Sequence, residues 1–294
     1  MISSSQKGVA AATLASFCWG SATVMSKYAL DDVSPITLLS LQLLASTVFL
    51  WLVVLVLRIK VPHLLTLTPI AMLGLLEPGL AYLLGLMALT DIGAGAATLI
   101  LAFEAIMIVL LSALLFRQFP SVKFVVLSMT CLVGLTMALG LWGVDNGRNG
   151  IGGVVLMFLA TASAAIYVVL SGRIASSQHP IVAVSAQQSV ALVAVLFILP
   201  IEMFGVSAGS SLPKNTETWL VVIASGIIQY GIAFSFYMYA LSKIPTNLAG
   251  SFLNLIPVFG LAIAFVVLGE TLTTFQLVGA AITILALTWI NLKT

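Results

Sequence analysis

Ten long apolar stretches follow one another along the chain, and short polar segments separate them. Each stretch holds about 20 residues, the length of a helix that crosses the hydrocarbon core of a bilayer. Because a helix satisfies its own backbone hydrogen bonds in lipid, the pattern predicts an all-α polytopic membrane protein. The ten predicted spans are Gly8–Tyr28, Ser34–Leu57, Leu67–Leu89, Gly93–Phe116, Ser121–Trp142, Ile151–Ser171, Pro180–Met203, Trp219–Leu241, Thr246–Leu268 and Thr273–Leu292.

The composition agrees with this prediction and removes other classes of protein. Of the 294 residues, 61% are hydrophobic and 7% are charged, whereas a soluble domain carries about 25% charged residues. A soluble globular protein and a disordered chain are therefore excluded. The net charge of +2 is too small for a nucleic-acid-binding surface. Because Cys18 and Cys131 both lie in apolar runs, we expect no disulfide scaffold, no metal site and no cofactor.

The loop charges separate by sign when the spans alternate across the membrane. One side receives eight basic residues, and the other receives every acidic residue except Glu77 and Glu104. The basic side should be cytoplasmic by the positive-inside rule, so both termini are predicted to be cytoplasmic. The absence of an N-x-S/T sequon favours a bacterial inner membrane. The basic residues are Lys7, Arg58, Lys60, Arg117, Lys123, Arg173, Lys243 and Lys293, and the acidic ones are Asp31, Asp32, Asp91, Asp145, Glu202, Glu217 and Glu270.

The two halves of the sequence resemble each other. A constant offset aligns Gln42 with Gln187, and a second one aligns Gly74 with Gly226. We therefore predict two five-helix repeats, residues 1–145 and 146–294. Since five is odd, the second repeat starts on the opposite side of the membrane and is inverted. Inverted repeats are typical of alternating-access transporters, whose site lies near mid-membrane between the halves.

Short motifs at both ends of the chain resemble a known family. The segment Phe17–Ser21, followed by Lys27 and Ser34-Pro35, is similar to the opening of an EamA-type repeat of the drug/metabolite transporter superfamily. The segment Leu268–Leu272 is similar to the closing hairpin of the second repeat.

The resemblance implies ten helices in a 5+5 inverted arrangement and transport of small metabolites, often export of amino acids. Two positions depart from the family pattern. Gln42 stands where members often carry a basic residue, and Arg117–Pro120 replaces the Gly-Glu of the first hairpin.

Two acidic residues lie deep within predicted spans, Glu77 in span three and Glu104 in span four. A charge at this depth costs roughly 2.5–3.5 kcal/mol on insertion scales, so such groups normally face the bundle interior or a wet cavity. Either residue is a candidate proton carrier or a receptor for a substrate ammonium, and Glu104 is the stronger candidate. Their partners in the second repeat, Gln229 and Ile256, are neutral. The structural alternative is a protonated Glu that hydrogen-bonds a neighbouring helix, and Glu77 could simply satisfy a kink at Pro78.

Aromatic and amide side chains complete the predicted substrate site. Trp19 lies mid-span, away from the interface where Trp is usual, and Tyr230, Phe234 and Tyr237 share one face of span eight. Asn254 and Pro257 together predict a polar notch in span nine, although an ordinary proline kink explains them equally well. The predicted substrate-binding residues are Trp19, Glu77, Tyr82, Glu104, Tyr167, Gln229, Tyr230, Phe234, Tyr237 and Asn254.

These features predict a secondary active transporter rather than an enzyme. No Walker A sequence and no hydrolase motif occurs. The leading expectation is an exporter of amino acids or related amine-bearing solutes, driven by the proton gradient or by the gradient of the solute itself. The same-class alternative is an importer or exchanger of a cationic or nucleoside-like metabolite. The other-class alternative is a non-transporting membrane subunit or a membrane enzyme. We expect a monomer or a weak homodimer.

Overall fold

The computed structural model describes residues 4–116, 121–140, 150–174, 179–204, 212–241, 243–244 and 252–293, and within them all regular structure is helical. Seven helices are long and apolar enough to cross a membrane, and three shorter apolar helices occupy predicted spans five, nine and ten. The all-α class is therefore confirmed, and every predicted span contains helix. The helices are α1 Ser4–Ala29, α2 Pro35–Val56, α3 Leu64–Met72, α4 Ala81–Leu89, α5 Ala94–Leu101, α6 Glu104–Phe116, α7 Val122–Ala138, α8 Ile151–Ile174, α9 Pro180–Phe204, α10 Thr216–Gly226, α11 Phe234–Leu241, α12 Leu255–Leu268 and α13 Thr274–Lys293.

Span three is interrupted at Glu77, whose backbone is extended (φ −144°, ψ 123°). Proline disfavours the helical region for the residue before it, so Pro78 accounts for the break. A 3₁₀ turn, Leu73–Leu75, and a π-helical turn, Leu76–Leu80, join α3 to α4 across it. Span eight contains a second π-helical segment, Ile227–Ala233, between α10 and α11. Gln229, the repeat partner of Glu77, lies in that segment.

Spans four and nine are also interrupted. The sequence predicts an irregularity in span nine but none in span four. The helix α5 ends at Leu101, and α6 begins at Glu104 after a short turn. Glu104 is therefore in the first turn of a helix rather than in the middle of a continuous one. A carboxylate is favourable there because the N-terminus of a helix carries a partial positive charge. In span nine, Asn254 is the residue that precedes α12.

The main helix contacts join the first five spans to the last five. Span two packs against span seven, span four against span nine and span five against span ten. Span one packs against spans eight and nine, while span six packs against spans three and four. The contacts of span one with spans eight and nine therefore correspond to those of span six with spans three and four, five positions along. The contacts of spans two, four and five each join a span to the one five positions later.

Glycines bring two of these helix pairs into backbone contact. A Cβ at Gly226 would lie 2.5 Å from the carbonyl oxygen of Gln42. A Cβ at Gly74 would overlap the backbone of Gln187 in the same way. These four residues are the two pairs that the predicted repeat aligns. Small residues permit such close approach between membrane helices.

Candidate functional site

The interruptions in spans three and four place two carboxylates near each other. Glu77 and Glu104 interact electrostatically. Both are surrounded by protein atoms, and yet each side chain keeps part of its accessible surface. Partial accessibility deep in the bundle is expected for side chains that line an internal space. Among the described residues, neither carboxylate accepts a hydrogen bond from a protein donor.

Four tyrosines surround the two acids, and three of them belong to residues 146–294. Tyr82 and Tyr167 each lie near both Glu77 and Glu104. Tyr230 lies near Glu77, and Tyr237 lies near Glu104. The rings of Tyr82 and Tyr230 meet edge to face with centroids 4.7 Å apart. The cluster is thus shared between spans three, four, six and eight.

Trp19 extends the cluster to span one. Its ring meets those of Phe234 and Tyr237 edge to face, at centroid distances of 5.2 and 5.5 Å. The indole Nε1–H of Trp19 is buried and has no hydrogen-bond partner among the described residues. A buried indole N–H normally finds an acceptor, so this donor is available to a bound solute.

Amide side chains connect to the tyrosine hydroxyls. The side chain of Gln229 lies close to the hydroxyl of Tyr82, and its buried Oε1 has no hydrogen-bond partner among the described residues. The hydroxyl of Tyr167 donates to Oε1 of Gln187 at 3.1 Å. The hydroxyl of Tyr230 is buried without a hydrogen-bond partner in the described part of the chain. Gln187 is a site residue that sequence reasoning missed, although its alignment with Gln42 was a usable signal.

Asn254 lies at the interruption where the sequence predicts a polar notch. The side chain of Asn254 is 3% exposed. The carbonyl of Phe252, next to this interruption, accepts a hydrogen bond from Ser16 Oγ at 2.7 Å. Gly20, the neighbour of Trp19, packs closely against Ile256. The interrupted part of span nine therefore adjoins span one next to Trp19.

A second buried polar group, which sequence reasoning did not assign to the site, lies where α2 meets spans one and eight. The Nε2 of Gln42 donates to Ser26 Oγ at 2.9 Å and to Ser225 Oγ at 2.7 Å, joining spans one, two and eight. Gln42 is fully buried. Lys27, part of the motif at the start of the chain, donates from Nζ to the carbonyl of Leu89 at 2.5 Å and so satisfies the end of α4.

Two grooves on the outer surface of the bundle contain none of the predicted site residues. One, of about 160 Å³, lies between α2 and α9 and includes Thr37, Ser40 and Leu196. The other, of about 250 Å³, runs along α2 past Phe49 and Leu52. Their walls are almost wholly apolar, which is expected of surfaces that face acyl chains.

The model of the EamA-like transporter family matches residues 6–140 and again residues 151–292. The chain belongs to the EamA-like transporter family. It is accordingly an integral membrane protein of a transporter family, and the resemblance seen in the sequence motifs is confirmed. In this EamA-like protein the two matched segments each contain five of the predicted spans.

Individual relatives are similar over different extents. A protein of Archaeoglobus fulgidus named as an uncharacterized transporter is 25% identical over 270 residues, which is 92% of this chain and 93% of that protein. The threonine/homoserine exporter RhtA of Escherichia coli K12 is 32% identical over 147 residues, 47% of this chain and 46% of RhtA. A solved crystal structure that is 18% identical covers 95% of each chain with a TM-score of 0.65, so the fold is one already observed.

Proposed function

We propose that this EamA-like protein is a secondary active transporter that exports amino acids or related amine-bearing metabolites by alternating access. The observation that carries the proposal is the group formed by Glu77, Glu104 and the four surrounding tyrosines. It combines acids, hydroxyls and aromatic rings in an interior where each charged group is expensive. Similarity to an amino-acid exporter over half of the chain supports the direction and the substrate class.

The transport cycle that we propose uses residues 1–145 and 146–294 as two inverted repeats. Support comes from the helix contacts, which pair each of spans two, four and five with the span five positions later. The equivalent contacts of Gly74 with Gln187 and Gly226 with Gln42 support it further. An inverted pair of repeats has two related packings in which access is exchanged between the two sides of the membrane.

We assign the binding of the substrate's ammonium, or the carriage of a coupling proton, to Glu104 with Glu77 beside it. Tyr237 links Glu104 to Trp19 and Phe234, so an apolar substrate body would contact these rings. The buried Nε1–H of Trp19 and the hydroxyl of Tyr230 would donate to the substrate's acceptor atoms. The other proposed site residues are Tyr82, Tyr167, Gln229 and Asn254.

The orientation belongs to the same proposal. Both termini would be cytoplasmic in a bacterial inner membrane, because the basic loops then face the cytoplasm. Export would be driven either by the proton gradient or by the concentration gradient of the solute itself.

The test is transport by the purified chain in proteoliposomes. Labelled threonine and homoserine are loaded inside, and their exit is followed at two pH values for the unaltered protein and for Glu104→Gln. We expect the labelled amino acids to leave proteoliposomes that contain the unaltered protein. With Glu104→Gln, the rate of exit should fall at least tenfold or should no longer depend on pH. Asp31→Asn is the matched control, because Asp31 is an exposed acid outside the cluster.

Three outcomes would contradict the proposal. Unchanged transport and pH dependence in Glu104→Gln would remove the role of that residue. Flux of nucleosides or organic cations without amino-acid flux would favour the alternative substrate class. Absence of any solute flux through the reconstituted chain would favour a subunit or an enzyme.

A further inference from the structure

Carboxylates at one end of the bundle hold the N-termini of helices that belong to the other half of the chain. Glu202 accepts hydrogen bonds from the backbone N–H groups of Ile36 (3.1 Å) and Thr37 (2.8 Å), at the start of α2. The hydroxyl of Thr37 also donates to Glu202, at 2.9 Å. The first N–H groups of a helix have no partner within the helix, so Glu202 satisfies two of them.

Glu270 makes the same kind of contact at the start of α5. Its two carboxylate oxygens accept from the N–H groups of Ala94 at 2.7 Å and Gly95 at 3.1 Å. Hydrogen bonds from backbone N–H groups to a carboxylate are about twice as strong as neutral ones. The partial positive charge at the helix N-terminus adds to the attraction.

The remaining two contacts of this group run from the first half to the second. Asp91 accepts from the N–H of Gly153 at 2.9 Å, at the start of α8. Asp32 accepts from the hydroxyl of Thr218 at 3.1 Å in α10, and Lys214 lies 3.7 Å from it. We call Asp32, Asp91, Glu202 and Glu270 the carboxylate latch.

The opposite end of the bundle has no acid with which to form such contacts. All seven acids other than Glu77 and Glu104 fall on the latch side of the predicted topology, and the loops of the other side carry basic residues. Toward that end the described contacts include Gly8 packed against Ile244 and a neutral hydrogen bond from Trp51 Nε1 to Ser189 Oγ at 2.9 Å. Within the described residues, charge-assisted hydrogen bonds join the two halves at the latch end alone.

We propose that the carboxylate latch is the outer gate of the transport pathway, closed in this structure. Opening the pathway to the outside requires span seven to part from span two, and span nine from span four, at this end, which breaks the bonds of Glu202 to α2 and of Glu270 to α5. The latch therefore biases the resting protein towards access from the cytoplasm, the side on which an exporter is loaded. This inference rests on the proposed transport cycle, but the gate is measured without any substrate.

The experiment measures access from outside to a cysteine placed between the latch and the acidic cluster. Thr23 is suitable, because it lies one helical turn outward of Trp19 on the same face of α1 and is 5% exposed. The Thr23→Cys chain, with Cys18→Ala and Cys131→Ala, is reacted with a membrane-impermeant maleimide in right-side-out vesicles. The double variant Glu202→Gln, Glu270→Gln should react about tenfold faster, because each amide keeps only one neutral acceptor oxygen.

The control and the second measurement keep the result decisive. Asp31→Asn, at the same end, should leave the labelling rate unchanged, since Asp31 is exposed and its carboxylate has no inter-half hydrogen bond among the described residues. In addition, a disulfide between Gly93→Cys and Glu270→Cys should stop transport, and a reductant should restore it. The side chain of Glu270 reaches Gly93 in this structure.

An unchanged labelling rate in the double variant, or normal transport by the cross-linked protein, would overturn the proposal that the carboxylate latch is the outer gate. If the double variant does not accumulate in the membrane, the effect of the cross-link on transport tests the proposal by itself. Failure of the proposed function would appear differently, as an unaltered protein that moves no amino acid while its labelling rate still responds to the latch substitutions.

Discussion

Replacing Gly226 by alanine should destabilise the fold, because the added methyl group has no space. A Cβ at Gly226 would lie 2.5 Å from the carbonyl oxygen of Gln42, 2.7 Å from its Cα and 2.9 Å from its carbonyl carbon. All three atoms belong to the backbone of a helix, so no side chain can turn aside to make room. The helices α2 and α10 must separate instead.

The size of the effect follows from two opposing contributions. Overpacking a well-packed site costs typically about 1–3 kcal/mol. Alanine is a better helix former than glycine by up to about 1 kcal/mol. The net loss should thus be about 1–2 kcal/mol, with a fall in the unfolding temperature of roughly 2–4 °C for each kcal/mol. Gly74→Ala should change the unfolding temperature in the same direction, since a Cβ there would lie 2.8 Å from the Cα of Gln187.

Thermal unfolding of the purified variants in one detergent measures these shifts. Gly85→Ala is the matched control, because its Cβ would have its nearest neighbours, Ala160 and Met157, at 4.0 Å. That distance is ordinary contact, so the control should unfold at or slightly above the temperature of the unaltered protein. A Gly226→Ala variant as stable as the unaltered protein, or a Gly85→Ala variant destabilised equally, would contradict this prediction.

Hydrogen bonds within the bundle lead to two further predictions for the same unfolding assay. Gln42→Leu removes the donors to Ser26 and Ser225 and should lower the free energy of unfolding by about 1–3 kcal/mol; a variant as stable as the unaltered protein would show that these bonds contribute nothing net. Tyr167→Phe loses its bond to Gln187 and should cost about 1 kcal/mol. Tyr230→Phe, whose hydroxyl has no partner among the described residues, should cost nothing, and equal losses in the two variants would contradict this assignment.

The sequence predicted the helical class and the ten spans because the bilayer imposes a strong constraint on length and polarity. A segment long enough to cross the hydrocarbon core must be apolar and helical, whatever its neighbours are. The grouping of Glu77 with Glu104 was also predictable, since both lie near the middle of adjacent spans and neither is tolerated against lipid. The same argument from depth brought Trp19 into the predicted site, whereas Tyr237 entered it because it shares one helical face with Tyr230 and Phe234.

The interruptions within the spans were predictable only where a residue type forces them. Pro78 gives a local reason for the break at Glu77. Nothing in the turn between Leu101 and Glu104 is a helix breaker, so the sequence predicted one continuous helix there. Helix-helix packing and the placement of Glu104 at a helix N-terminus decide that position, and both depend on the tertiary structure.

The contacts of the loop acids could not be predicted at all, because each joins residues that are far apart in the sequence. Glu270 lies 176 residues from Ala94, and Glu202 lies 165 residues from Thr37. Sequence reasoning placed these acids on one side of the membrane and assigned them no partner. The helix N-termini on that side are the natural partners, since several spans begin there and each exposes N–H groups.

Symmetric packing combined with asymmetric polar groups has a direct consequence for the proposed cycle. If the two halves are inverted repeats with identical side chains, the states open to either side have equal free energy, and nothing favours one of them. The apolar contacts follow the repeat closely, as Gly74 and Gly226 show. The acids do not, because Glu77 pairs with Gln229, and Asp91 pairs with Lys243 under the same offset. The acids are therefore one source of a difference in free energy between the two states, and two of them, Glu77 and Glu104, are also the groups that a substrate or a proton would contact in the proposed cycle.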